Sequence, residues 1–489
     1  VRLRLHDPVV TRRGDAQHLS ATLTFAPGTL PEAEVHLSVE PAELAVPDAS
    51  VLPFLPAALV LACRTDHDLV VDEPVPPAVH DGARQVAALL ASWYGWRPAE
   101  LIAPLAADPV RPAWLHRRRG VGLFFTCGVD SWGSLVGRRS GPPSQHPTHL
   151  IRVDHALHHD VELREAELDA TRAVAERLGL PFVLVRTDLR RVLDRHLDWG
   201  TDVHGSVLAG IGWLLRSSLH EVVISPTHWT PLQRPWGSHP DLDPRWSLPG
   251  LTITHQPGDE ARWQRIVRIA DHPEVLDSLQ VCWQPDRVRN CGRCEKCLRT
   301  MTTLEVTGHG AEARAAFDRP LQADAIGPHL VCIPTLWCDT IDLLDHVGLT
   351  ADPWRQRWEQ VRRRSAEHID GEDRAIQPRL PVVLADGSID LLDVGRHLAR
   401  CGLRVDHEAT PGPDAPALVV HRDEGALVAT VRTGSPVDDA RWVALSALTI
   451  DDLDHLLTTL GADRDAAVPF DPDGQDPPVV PPRSNVDLR

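Results

Sequence analysis

Cys282, Cys291, Cys294 and Cys297 write C-x8-C-x2-C-x2-C, and the stretch around them holds Lys296, the only lysine, Met301, the only methionine, and Asn290, one of two asparagines. Two C-x2-C steps let four thiolates converge on one ion at roughly 2.3 Å, with Gly292 easing the turn between them; this is the ligand set of a closed, structural zinc site. A disulfide framework and a C-x2-C redox pair are the competing chemistries. The first belongs to small secreted chains, and the other cysteines, Cys63, Cys127, Cys332, Cys338 and Cys401, are scattered along a long acidic one. Every other Lys/Arg position is arginine, so a retained Lys296 points to a contact that needs a compact ammonium rather than a planar guanidinium. A surface lysine without a role is the alternative.

A second cluster, Thr126-Cys127-Gly128-Val129-Asp130-Ser131, follows the apolar run VGLFFT, where a strand must turn into a helix. Such a turn exposes backbone N–H groups at the positive end of a helix dipole, which suits the phosphates of a nucleotide. The hydroxyls of Thr126 and Ser131 can add hydrogen bonds, and Asp130 can hold Mg2+ or position the loop. The alternative is an ordinary strand–helix turn capped by Asp130 and Ser131. Further along, the run from Ser225 to Ser247 is long, polar and aromatic. There His228, Arg234, Trp236 and His239 are candidate substrate contacts: an indole for stacking on a planar base, a guanidinium for pairing with a carboxylate. A proline-pinned surface loop competes with that reading. His204 opens the helix upstream and either touches a phosphate or caps that helix.

The elements that position these residues follow from periodicity. VRLRLHDPVV, HLSATLTF and AEVHLSVE alternate as half-buried strands do, which makes residues 1–115 a β-rich region, with a helix near Ala83–Tyr94. From residue 116 the runs VGLFFT, HLIRV, PFVLVRT and EVVIS alternate with helical stretches, the grammar of a parallel sheet with crossover helices and hence of an α/β domain reaching to about 345. Leu163, Ala166, Ala170, Ala173 and Val174 predict the apolar face of one such helix, closed by Gly179 and Pro181. Residues 346–375 read as a charged helical linker. The stretch 376–465, with LPVVLA, ALVVHR, ALVATV and the helical IDLLDVGRHLARCG, reads as a small α/β domain, and 466–489 as a disordered Pro- and Asp-rich tail.

With 489 residues and a net charge of −18, the chain is a poor electrostatic match for nucleic acid. No apolar run approaches about 18 residues and the first ten have no signal-peptide architecture, so neither a membrane span nor export is expected and the cytoplasm is the expected location.

TCGVDS resembles the SGGxDS loop of PP-loop ATP pyrophosphatases, which cleave ATP between the α- and β-phosphates to make adenylates. Cys127 stands where that family has a glycine. The resemblance extends through Val153-DHALHHDVEL, which matches the motif after the second strand of 7-cyano-7-deazaguanine synthases at Asp154, His159, Glu162 and Leu163, and through the cysteine spacing, which those synthases share. It covers roughly Val121 to Met301. It implies a PP-loop parallel sheet with a zinc-binding knuckle. It further implies ATP, Mg2+ and Zn2+ as cofactors, a nucleotide site at Thr126, Cys127, Gly128, Val129, Ser131 and Asp154, and catalytic roles for Asp130, Lys296 and His159. The expected activity is adenylation of a carboxylate or amide, of a small molecule such as a 7-deazaguanine or borne by a protein, for capture by ammonia or an amine. A homodimer is left open. Two alternatives remain: sulfur transfer, which needs a low-pKa thiol at Cys127, and a nucleotide-binding module that has lost its chemistry.

Overall fold

The structure, a computed structural model, describes residues 1–26, 32–106, 119–155, 161–230, 233, 235–282, 288–327 and 334–361, and the strand segments 379–384, 404–406, 417–423, 426–432 and 443–444. Two compact units are distinguished, one built on a ten-stranded sheet and one containing a five-stranded sheet.

The large sheet is assembled from β1 (Arg2–Arg13), β2 (Ala16–Phe25), β3 (Ala33–Glu40), β4 (Asp68–Val71), β5 (Leu101–Ile102), β6 (Gly120–Phe124), β7 (His149–Asp154), β8 (Phe182–Thr187), β9 (Leu219–Ile224) and β10 (Thr252–His255). Its order is β10-β9-β6-β7-β8-β3-β2-β1-β4-β5. Pairing is parallel except at β1–β2, β2–β3 and β3–β8. The expected strands VGLFFT, HLIRV, PFVLVRT and EVVIS are β6 to β9. Continuous hydrophobic runs of this kind suit a parallel sheet covered on both faces.

The region 1–115 is β-rich but not a separate layer. Leu37 to Glu40 of β3 pair with Leu184 to Thr187 of β8, so the N-terminal strands lengthen the central sheet, and one continuous core runs from Leu3 to Ile253. The region also contains a helix that periodicity does not predict, α1 (Leu55–Arg64). Nine of its ten residues are buried, so it has no polar face to betray it. The expected helix near Ala83–Tyr94 is α2 (Pro77–Tyr94), stopped by Gly95 in the left-handed region.

Between the parallel strands run α3 (Val129–Arg139) and α4 (Val161–Arg177), then the short α5 (Arg190–Leu193) and α6 (His204–Leu214), with α7 (Arg262–Ala270) and the short α8 (Pro273–Leu276) after β10. The termination of α4 is as expected: Gly179 has φ +65° and its N–H, with that of Leu180, satisfies the last carbonyls. The face of α4 is not as expected. Leu168, Thr171, Val174 and Ala175 are the buried residues, and of the five predicted positions Val174 alone joins them while Ala166 is exposed. The stripe was drawn one position too far round because Thr171, polar by type, is a core residue here.

In the second unit β11 (Arg379–Leu384), β12 (Arg404–Asp406), β13 (Ala417–Asp423), β14 (Ala426–Arg432) and β15 (Val443–Ala444) form a mixed sheet in the order β12-β11-β13-β14-β15. These include the three strands expected within 376–465. The helix expected there and the tail 466–489 lie outside the described residues, and of the 346–375 linker only 346–361 is described, with helix at 353–361. Among the described residues no helix is long and apolar enough to cross a membrane.

Candidate nucleotide loop and metal centre

The parallel strands read β8-β7-β6-β9-β10 across the sheet, so the chain builds outward from β6 in one direction and then returns to its other side. The crevice between β6 and β9, beyond their carboxyl ends, is where an open α/β sheet takes a ligand. Thr126 to Ser131 leave β6 at that point and Ser225 to Thr230 leave β9.

The loop at 126–131 is shaped by Cys127. Its φ of +57° lies in the left-handed region that favours glycine. The residue is 1% exposed, and burial, opposed by a hydrogen bond with Thr171 of α4, pushes its thiol up to about 11. The side chain therefore turns inward while the backbone keeps the path a glycine would give it. The Cys127 carbonyl accepts the N–H of Gln280 at 2.9 Å, which ties the loop to the segment entering the cysteine cluster. Ser131, 4% exposed, is an internal strut: its hydroxyl donates to the Gly128 carbonyl at 3.1 Å and accepts the Thr126 N–H at 3.3 Å. Thr126 is exposed and Val129 is core. The first N–H groups of α3 have no intrahelical acceptors, as at any helix start.

Asp130 is committed to two guanidiniums. Arg262 Nη1 lies 3.0 Å from both carboxylate oxygens, and Arg265 Nη1 donates to Oδ1. Arg265, 3% exposed, also donates to the Pro226 carbonyl at 3.2 Å, so it bridges the loop after β6 to the loop after β9. Of the two roles expected for Asp130, magnesium ligand or loop positioner, this geometry gives the second. Its oxygens do not fit a magnesium site, because both are already occupied by cations. Neither arginine was foreseen. RWQRIVR carries them three apart at a helix start, and that spacing is the signal available in the sequence.

The motif after β7 is only partly described. Asp154, 6% exposed, ends β7 within 3.7 Å of Arg164 and 3.5 Å of Arg186, an ion-pair setting. His159 lies outside the described residues. His155, not foreseen, packs edge-on against Trp199 at 4.4 Å, with Arg190 over the same indole at 4.9 Å.

The other candidates partly converge. His204 starts α6 with Nδ1 3.0 Å from the Trp199 carbonyl, and His228 meets Trp236 edge-on at 4.9 Å. The segment carrying Trp236 is clipped onto the turn before α6 by Gly237 N–H to the Gly200 carbonyl at 3.0 Å and Gly205 N–H to the Gly237 carbonyl at 2.7 Å. His239 packs against Trp93 at 4.9 Å and its Nδ1 accepts the Asp241 N–H at 3.0 Å. Burial lowers the pKa of His155, His204 and His239, holding all three neutral. Trp236 and His228 are 7% and 4% exposed, so they line the interior rather than a surface loop. Arg234 lies outside the described residues.

The four cysteines are reduced, and their sulfurs all lie within 4.8 Å of one another. Bonds of roughly 2.3 Å at tetrahedral angles call for sulfur separations near 3.8 Å, so the donor set fits zinc. It is the only group of three or more metal-ligating side chains so arranged among the described residues. Gly292 has φ +70°, and a Cβ there would lie 2.9 Å from the Arg319 carbonyl. Asn290 is the organiser: its Oδ1 accepts the N–H groups of Val281 and Cys282 at 2.7 and 3.0 Å, and its Nδ2 donates to the carbonyls of Leu279 and Ala316 at 2.7 and 2.9 Å. All four amide capacities are filled, which an aspartate or a serine cannot do. Lys296 sits half-buried in the first turn of α9 (Glu295–Val306), between Cys294 and Cys297. No family model matches the chain, and no curated protein matches it in sequence.

Proposed function

We propose that the protein is an ATP-dependent adenylating enzyme of the PP-loop type that activates a carboxylate or amide for capture by ammonia or an amine. The observation that carries this reading is a left-handed, glycine-like turn at Cys127 in a TCGVDS loop at the strand-order switch. The substrate oxygen attacks the α-phosphorus of ATP. Pyrophosphate leaves toward the N–H groups at the start of α3, where fixed dipoles need no reorganisation. Asp130, held by Arg262 and Arg265, fixes the loop rather than touching the phosphates. In this reading Lys296 supplies a cation to the phosphates or adenylate, and zinc, held by Cys282, Cys291, Cys294 and Cys297, keeps its segment folded. His155, Trp199 and Trp236 supply aromatic walls for a planar substrate such as a 7-deazaguanine. Sulfur transfer is disfavoured, because a thiol pushed up to about 11 supplies little thiolate at neutral pH.

The test is pyrophosphate release from ATP with 7-carboxy-7-deazaguanine and ammonium as probes, for the natural sequence and for Asp130→Ala. Release that depends on the carboxylate and is lost in the variant supports adenylation. ATP binding without release would make the chain a nucleotide-binding module, and absence of ATP binding would remove the reading altogether.

A further inference from the structure

Asp243 is fully buried and collects a polar cluster around its carboxylate. Its Oδ2 accepts the Ser238 hydroxyl at 2.6 Å and Nδ1–H of His255 at 2.8 Å. A Cβ on Gly205 would lie 2.4 Å from Oδ1, so the carboxylate sits against the first turn of α6, where the helix dipole favours negative charge.

The residue types of a serine hydrolase triad are all present, but the connectivity is wrong for one. Ser238 donates to the carboxylate, and its imidazole contact, at 3.4 Å, is with Nδ1, the nitrogen already bound to Asp243. A serine nucleophile needs the opposite nitrogen. That nitrogen, Nε2 of His255, carries the lone pair, because the carboxylate can only accept and so fixes the proton on Nδ1. Nε2 is buried without a hydrogen-bond partner among the described residues, on a side chain 2% exposed. An unmet buried acceptor is costly, which points to a donor that arrives with a ligand.

We propose that His255, oriented by Asp243, accepts the proton of the amine that captures the adenylate. This inference rests on the adenylation reading above and names a further catalytic residue for it. His255 ends β10 opposite Ile224 of β9, and Val223 is opposite Leu123 of β6, so the imidazole is rooted two strand spacings, roughly 10 Å, from the start of the nucleotide loop. The titratable groups around it are His204 at the start of α6, His239 on the clipped segment, Asp241 beside His239, and Asp243 itself. Both flanking imidazoles are kept neutral by burial, so the carboxylate is the charge that stabilises the imidazolium as it forms. Nε2 takes one proton from the ammonium, the freed ammonia forms the C–N bond to the acyl carbon, and the second N–H proton passes from the adduct to water. Collapse of the tetrahedral adduct then breaks the C–O bond to AMP, which leaves with the electron pair.

The experiment compares two nucleophiles in the pyrophosphate assay. Ammonium is protonated at neutral pH and needs a base, whereas hydroxylamine is largely unprotonated and does not. In His255→Gln, amide formation from ammonium should fall by roughly 10²- to 10⁴-fold, while hydroxamate formation stays within a few-fold and the first-turnover pyrophosphate burst persists. Equal losses with both nucleophiles, or no loss with either, overturn the inference while leaving adenylation intact. A natural sequence that releases no pyrophosphate instead overturns the functional reading. Imidazole ¹⁵N spectra of the unsubstituted protein give a check that needs no variant: a proton on Nε2 of His255 rather than Nδ1 would refute the assignment.

Discussion

Cys127 and the quartet Cys282, Cys291, Cys294 and Cys297 put one residue type to opposite uses. The quartet gathers sulfurs within 4.8 Å of one another in a segment with little regular structure of its own before α9. The lone cysteine has no sulfur partner among the described residues; it sits under a helix start, in a backbone conformation that strains any residue but glycine, with burial pushing its thiol up to about 11. In the first case cysteine is a candidate metal ligand in a set of four convergent sulfurs, and in the second a small apolar filler whose geometry is set by a loop. Reactivity follows environment, not residue type.

The widest gap between the two should appear on metal removal. Cys294→Ser, or a strong chelator, is expected to remove local stabilisation on the order of 10 kcal/mol and open the segment 288–301 to protease. After chelation the four cysteines of the knuckle should alkylate with iodoacetamide at pH 8 and Cys127 should not, as read by peptide mapping. A chain that carries no stoichiometric zinc by elemental analysis, or that labels Cys127 first, would break the comparison. Asn290→Ala comes next. It strands two buried N–H groups and two carbonyls that the amide now satisfies, at a cost of about 3 kcal/mol. Denaturant unfolding and zinc affinity should fall together, and an unchanged zinc affinity would show that Asn290 does not organise the site.

The two regions are legible in the sequence for different reasons. The knuckle is legible because its spacing is local: eight residues and then two and two determine which sulfurs can share an ion. The loop is legible because a short apolar run followed by small residues is a strand–turn–helix signal. Less could be read of what surrounds them. Arg265 meets Asp130 from 135 positions away, and β3 meets β8 across about 150, pairings that no local pattern encodes. β10 is four residues long with two threonines, too short to show alternation. His255 at its end finds Asp243 through a turn twelve residues back, and α1 hides its helical period because almost every side chain is buried.

The imidazoles near the loop give a smaller, pH-dependent effect that the knuckle should not share in the same form. His155, His204 and His239 have folded pKa values below the ordinary 6.5, so the stability they provide is present above that value and is lost as acid lowers the pH through the depressed ones. Asp202 works in the other direction: burial raises its carboxyl to about 6, so its contribution is full below 3.8 and is lost by pH 6. From pH 7 to 6 the imidazoles act with little opposition, and stability should fall with acidification by up to about 1.4 kcal/mol per pH unit for each net proton taken up on unfolding. Below pH 6 Asp202 offsets part of this, so Asp202→Asn should steepen the fall there. An unchanged slope in that variant would place the carboxyl's titration elsewhere.

The finest distinction is at Cys127 itself, where two substitutions separate packing from backbone strain. Cys127→Ala removes the sulfur and keeps the strained φ, whereas Cys127→Gly removes more packing yet relieves the left-handed conformation. At an ordinary buried position the glycine variant is the less stable of the two, since glycine loses more conformational freedom on folding. At φ +57° the order should invert, with Cys127→Gly more stable than Cys127→Ala by about 1 kcal/mol in denaturant unfolding. The ordinary order would mean that the loop relaxes out of the left-handed region once the sulfur is gone. The thiol would then be what holds the turn, and the glycine-like path of the candidate nucleotide loop would be a consequence of packing against Thr171 rather than a property of the backbone.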